Sequence, residues 1–202
     1  MCMTISMMCL SFKEPIIALR LAKDNVGVTV AGVIISLDTI TYTACSFALN
    51  LFKEVDNGKF YGRLQYYGCL VYVVCMLLQG PAPFFEDKIW ILCCGVAVGG
   101  IGGALIHNNS SPAMFLTEKA AQMQKHGRLT KQRKNALQAS VSAIHAGGFG
   151  LGATFGPILG SVLTATIGYR LAFTVTAGIV FVMSFLHLGS QFFYTRLLPI
   201  GD

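Results

Sequence analysis

Charge is what this sequence has least of. Of its 202 residues, 12% are Asp, Glu, Lys or Arg, while 54% are hydrophobic. A water-soluble domain carries about 25% charged residues, so the composition argues against a single soluble core and for a polytopic membrane protein. A mean hydropathy of +0.62 agrees. Chemistry-bearing motifs are equally scarce. No G-x-x-x-x-G-K-[ST] loop is present, and Gly148-x-Gly150 lacks the preceding strand and following acid of a dinucleotide fingerprint. The seven cysteines (Cys2, Cys9, Cys45, Cys69, Cys75, Cys93, Cys94) are odd in number, and none sits at metal-site spacing with a histidine. They read as small buried hydrophobes. No metal, cofactor or enzymatic activity is expected.

What is present is a series of long apolar runs separated by short polar ones. Met1–Phe12 is apolar but short of the roughly 20 residues a spanning helix needs. It lacks the basic leader and cleavage site of a signal peptide, and reads as the last turns of a spanning helix whose start is missing. Lys13–Asn25 is mixed in charge. Five full spans are then expected over 26–51, 65–85, 89–116, 136–166 and 171–195, within one transmembrane domain covering 1–202. Trp90 stands at a span edge, where aromatic belts form.

The basic residues orient these spans. Loops 52–64 and 117–135 together hold nine Lys and Arg, three in the first and six in the second. The opposite connections 86–88 and 167–170 hold one each, Lys88 and Arg170. Both basic loops are therefore expected in the cytoplasm; Lys13–Asn25 falls on the other side against the rule and is outvoted. The 117–135 cluster has no aromatic or base-reading companions, so it reads as a solvated loop, and no nucleic-acid partner is expected. Asn108 and Asn109 each begin an N-x-S sequon, but both lie near the cytoplasmic membrane end, where glycosylation does not reach.

Glycine is the residue in surplus, with 22 copies. Gly148, Gly152, Gly156 and Gly160 recur every fourth position and bare one helix face. In water such glycines weaken a helix by about 0.5–1 kcal/mol each. In lipid they allow another backbone to come close. Gly95, Gly99 and Gly103 form a second stripe that continues into His107.

The segment Gly152-Ala-Thr-Phe-Gly156-Pro157-Ile-Leu-Gly160-Ser161 resembles the G-x-x-x-G-P-x-x-G-G motif of major facilitator superfamily transporters, with Ser161 in place of the last glycine. Ile167-Gly168-Tyr169-Arg170 resembles the turn that opens the twelfth helix of that fold. Phe12-Lys13-Glu14-Pro15 resembles the end of the seventh helix in vesicular amine transporters, and Gly102-Gly103-Ala104 with Pro112 resembles their tenth. In this order the matches look like the C-terminal half of a vesicular amine or polyamine transporter, over essentially the whole chain. Two positions depart from that pattern. Lys59 stands where the loop motif D-x-x-G-R has its acid, and His107 where monoamine members carry an acid.

The fold expected is thus an all-α membrane protein with five full transmembrane helices and a partial sixth, resembling one six-helix half of a facilitator. Asp38, inside an apolar run, is the sharpest candidate for chemistry. A lone charge at mid-span costs about 2.5–3.5 kcal/mol on insertion scales, so it needs a partner or a water-filled cavity. Asp38 shares a helix face with Thr41, Tyr42 and Cys45; it could carry a proton or cation, or simply hydrogen-bond a neighbour. His145 could switch charge near neutral pH or pack as a neutral ring, and His107 is equally open. Tyr42, Asn108 and Asn109 could line a pathway or be structural, and Glu14 follows from the resemblance. His187 reads as structural. Gly148, Gly152, Gly156, Pro157 and Gly160 are read as a helix-packing motif.

The resemblance implies proton-coupled exchange of a small organic cation, in a vesicular or other endomembrane. Its partners would be membrane lipid, protons, the cation and an N-terminal six-helix half. A non-transporting membrane interaction subunit, or an inactive truncated product, is the alternative.

Overall fold

The computed structural model describes residues 2–51, 58–81, 86–127 and 130–197. Among these, every regular element is an α-helix: α1 (Cys2–Lys23), α2 (Val28–Leu51), α3 (Gly58–Gln79), α4 (Ile89–His126), α5 (Lys131–Ile167) and α6 (Tyr169–Leu197). Four of them, α2, α4, α5 and α6, are long and apolar enough to cross a membrane. This corrects the expected count of five full spans. The span placed at 65–85 is the one that falls away, because α3 begins earlier and gathers Lys59, Arg63, Gln65 and Gln79 among its apolar residues.

The partial helix expected over 1–12 is also corrected. α1 runs for 22 residues, through Lys13, Glu14 and Pro15, to Lys23. Two features allow this. The apolar row Ile5, Cys9, Phe12, Ile16 keeps its helical spacing beyond Pro15 and is buried throughout, and in a bundle neighbouring helices compensate for an interior proline. α1 ends in a Schellman pair, with Val26 N–H donating to Leu21 O (2.9 Å) and Asn25 N–H to Ala22 O (3.2 Å). Asn25 stands at φ 56°, a left-handed position that asparagine tolerates better than most residues. The segment read as a connection is therefore mostly helix, and the true link to α2 is four residues, 24–27.

The basic loops shrink likewise. α4 continues ten residues beyond Leu116, since Glu118, Lys119, Ala120, Ala121 and Gln122 are good helix formers with nothing to stop them. It ends at Gly127, whose φ is 74°. Thr130 then caps α5, its side chain accepting from Arg133 N–H. Loop 52–64 gives up 58–64 to α3; its remaining residues, 52–57, lie outside the described residues, as do Pro83 and the tail beyond Leu197.

Packing is uneven. α1 touches all five other helices, and α4 touches α1, α2, α3 and α5. These two form the axis of the bundle. Phe12, Leu21, Tyr72, Met76, Leu92, Ile106 and Phe173 fill the core around them. α3 lies against α4 and α6. By contrast, among the described residues α2 touches only α1 and α4, and most of its length is exposed. α5 lies against α1 along one face and leaves most of the rest open.

Glycine sets the close approaches. A methyl on Gly156 would fall 2.5 Å from Met8 O, and one on Gly160 3.0 Å from the Phe12 ring. Gly148 and Gly152 face Thr4. The whole stripe therefore lies on α1. In α4, Gly100 abuts the α2 backbone at Asp38 and Tyr42, while Gly102 and Gly68 bring α4 and α3 together.

Candidate functional site

Asp38 lies about 15 Å along α2 from Val28, at 1.5 Å per residue. That is roughly mid-depth for a hydrocarbon core of about 30 Å. Its carboxylate accepts from Lys13 Nζ at 2.6 Å, and Lys13, halfway along α1, is 2% exposed. The partner is neither Thr41, Tyr42 nor Cys45. Thr41 Oγ1 donates back to Leu37 O on its own helix, and Tyr42 turns its ring edge-on to His107 at 6.1 Å. Lys13 gives no sequence signal as this partner, because it opens a segment of mixed charge that reads as a surface connection.

Two further helices, α3 and α4, hold this pair in place. Gly99 of α4 leaves the space: a methyl there would sit 2.8 Å from Asp38 Oδ1 and 2.9 Å from both Lys13 Nζ and Cys75 Sγ. Tyr72 of α3 puts its ring 5.8 Å from the ammonium, within cation–π range. The pair is thus solvated by an aromatic face and a thiol rather than by water on its inner side. Its outer side differs. A cavity of about 120 Å³ opens there, lined by Lys13, Glu14, Ser36, Asp38 and Thr39 among others. Asp38 keeps 16% of its side chain exposed. Glu14, Ser36 and Thr39 are exposed.

A second polar row runs toward the other end of the bundle. Ser6 Oγ lies 2.9 Å from His107 Nε2. Asn108 Nδ2 donates to Ser46 Oγ at 2.8 Å, and Gln65 Nε2 to Ser110 Oγ at 2.9 Å. Asn109 is buried and donates to Leu105 O of its own helix at 2.6 Å. Both sequon asparagines are therefore interior residues of α4. His145 is half-buried on α5 near His107, and its Nε2 is buried with no hydrogen-bond partner. His187, on α6, likewise has an unpartnered Nε2.

The structure therefore gathers Glu14 and Asp38 at one cavity and Tyr42, His107 and Asn108 along one row. It leaves Asn109 turned onto its own helix and puts Gly148, Gly152, Gly156 and Gly160 against α1, away from the charges. No protein-family model matches this chain, and no curated protein or solved structure shows significant similarity to it.

One further cluster gathers around a single arginine. Arg20, at the end of α1, donates to Gln79 O (3.2 Å) and Tyr169 Oη (3.1 Å), and pairs with Asp24 and Asp87. The Tyr169 hydroxyl donates to Gln79 O at 2.5 Å and Arg170 Nε to Pro81 O at 2.8 Å. These contacts tie the ends of α1, α3 and α6 to the start of α4. The Gly168-Tyr169-Arg170 turn was the only part of it visible in the sequence, since the residues it joins are up to 149 positions apart.

Proposed function

We propose that this chain is one six-helix half of a facilitator-type transporter that exchanges a small organic cation for protons by alternating access. The observation that carries the reading is the Lys13–Asp38 pair at mid-depth, with Glu14 on the same cavity. Buried ionisable groups within spanning helices are rare and mark ion or substrate pathways by default. Midplane sites between rocking halves are the general arrangement in secondary transporters. The motifs around Gly156-Pro157 and Lys13-Glu14-Pro15 support placing the chain beside vesicular amine and polyamine transporters, in an endomembrane, with the 117–135 side in the cytoplasm.

In this scheme Asp38 carries the exchangeable positive charge, Glu14 draws cations to the cavity, and His107 and Tyr42 lie on the path beyond. The open faces of α2 and α5 receive an N-terminal half. Those same faces also favour a second reading, a membrane interaction subunit that binds other helices without transporting.

The test is uptake of a labelled polyamine into proteoliposomes under a pH gradient, with the chain alone and with a facilitator N-terminal half supplied. Uptake that requires both halves and is lost in Asp38→Asn is expected. Absence of uptake in both preparations would remove the transporter reading and leave the interaction subunit.

A further inference from the structure

The cavity beside Asp38 holds an arithmetic imbalance. The cavity is lined by two acidic side chains, Glu14 and Asp38, and one basic one, Lys13, so acids outnumber bases by one. The ammonium present is not a free ion but the end of a flexible four-carbon stem. It sits at hydrogen-bond distance from Asp38 Oδ1, at 2.6 Å. Ser36 and Thr39, on the open face of α2, line the outer rim of the same space.

We propose that Lys13 is a tethered occupant of the cation seat on Asp38, and that an incoming ammonium binds there only by displacing it. This inference rests on the organic-cation reading above and names the residue that sets the affinity of that site. The seat fits a primary ammonium because a primary ammonium already fills it. Its surroundings, a carboxylate, a Tyr72 face and hydroxyl groups at the rim, suit three N–H donors on a narrow stem. A volume of about 120 Å³ is about four waters at about 30 Å³ each, enough for an amine head group and the displaced Lys13 end. Glu14 lines the same cavity and can take up the Lys13 ammonium once it leaves Asp38. Each exchange therefore keeps both carboxylates partnered.

A quaternary ammonium has no N–H to give Asp38 and is wider than the space Lys13 vacates. It is therefore expected to bind poorly.

The experiment measures binding of labelled putrescine, with tetramethylammonium as competitor, to the full chain in lipid nanodiscs. Wild type is expected to bind putrescine and to prefer it over tetramethylammonium by tenfold or more. Lys13→Gln removes the resident competitor and should tighten putrescine binding by tenfold or more. Lys13→Arg, which keeps a permanent charge in a fork that grips a carboxylate more firmly, should weaken it by a similar factor. Asp38→Asn should abolish it. The Lys13→Gln/Asp38→Asn pair, which removes both charges, controls for folding by size-exclusion profile and helical content. Asp38-dependent binding that Lys13→Gln leaves unchanged or weakens overturns the inference alone. If Lys13→Gln does not fold, Lys13→Arg decides, and equal or tighter binding there overturns it. Putrescine binding absent from wild type and every variant overturns both this inference and the organic-cation reading.

Discussion

Lys13 and Asp38 are each costly in the middle of a helix bundle and tolerable together. Removing one leaves the other buried without a counter-charge, and such losses run to about 3–5 kcal/mol, whereas replacing both with apolar residues is often neutral or stabilising. Lys13→Ala is therefore expected to lower stability by about that amount, and Lys13→Met/Asp38→Leu to recover most of it. Reversible unfolding in bicelles, followed by circular dichroism, checks both. A double variant as unstable as the single would show that the ion pair does not couple the two positions. Asp38 was legible in the sequence because an acid inside an apolar run stands out. Its partner was not, because Lys13 precedes Glu14-Pro15 and closes an apolar run of twelve residues, which looks like the edge of a span. The continuing row Ile5, Cys9, Phe12, Ile16 was the signal that α1 goes on.

Among the elements, α5 offers an internal comparison. A methyl on Gly150 would have nothing within 4 Å, while one on Gly156 would meet Met8 O at 2.5 Å and the Ser11 Cβ at 2.8 Å. The same substitution should act oppositely at the two sites. Gly150→Ala gains helix propensity of about 1 kcal/mol, whereas Gly156→Ala forces α1 and α5 apart and should cost about 1–3 kcal/mol. Gly156→Leu is expected to prevent the pairing altogether, losing folded protein without touching any residue of the cavity. Thermal melts of the three variants decide, and equal effects at 150 and 156 would mean the stripe does not set the helix spacing. The four-residue spacing of these glycines was plain in the sequence, but the helix they face was not, because periodicity names a face and says nothing of its neighbour. Helix ends were misread for a similar reason. Hydropathy marks where lipid would end, and α4 simply continues beyond it.

At the scale of the whole molecule, α2 is the least enclosed element. Its outward face carries Thr29, Gly32, Ser36, Thr39 and Thr43, spaced three and four apart. A face of hydroxyls turned to lipid has no advantage over an apolar one, so it is expected to meet water or other helices. In a background with the native cysteines replaced, Thr39→Cys and Thr43→Cys should react readily with a water-soluble maleimide in the chain alone and lose that reactivity when an N-terminal half is bound. Unreactive cysteines in the lone chain would place that face in lipid. Cysteines at Glu86 and Gly127 should be labelled from opposite sides of the membrane, and labelling from one side would reverse the orientation drawn from the basic residues. The uneven burial behind these expectations lay beyond the sequence, since α2 and α6 are both apolar enough to cross a membrane and hydropathy does not say which helix packs against which.

The tight link between α1 and α2 bears on how the protein is made. Lys13 and Asp38 are 25 positions apart, on neighbouring helices joined by four residues. Both leave the ribosome before any of α3, so α1 can pack on α2, which is apolar enough to cross a membrane, with this ion pair already formed. Each charge alone would resist insertion by about 2.5–3.5 kcal/mol. Asp38→Asn would then leave Lys13 without its partner while α1 and α2 pair, and the lesion would appear as slower docking of α1 during synthesis rather than only as instability of the finished bundle.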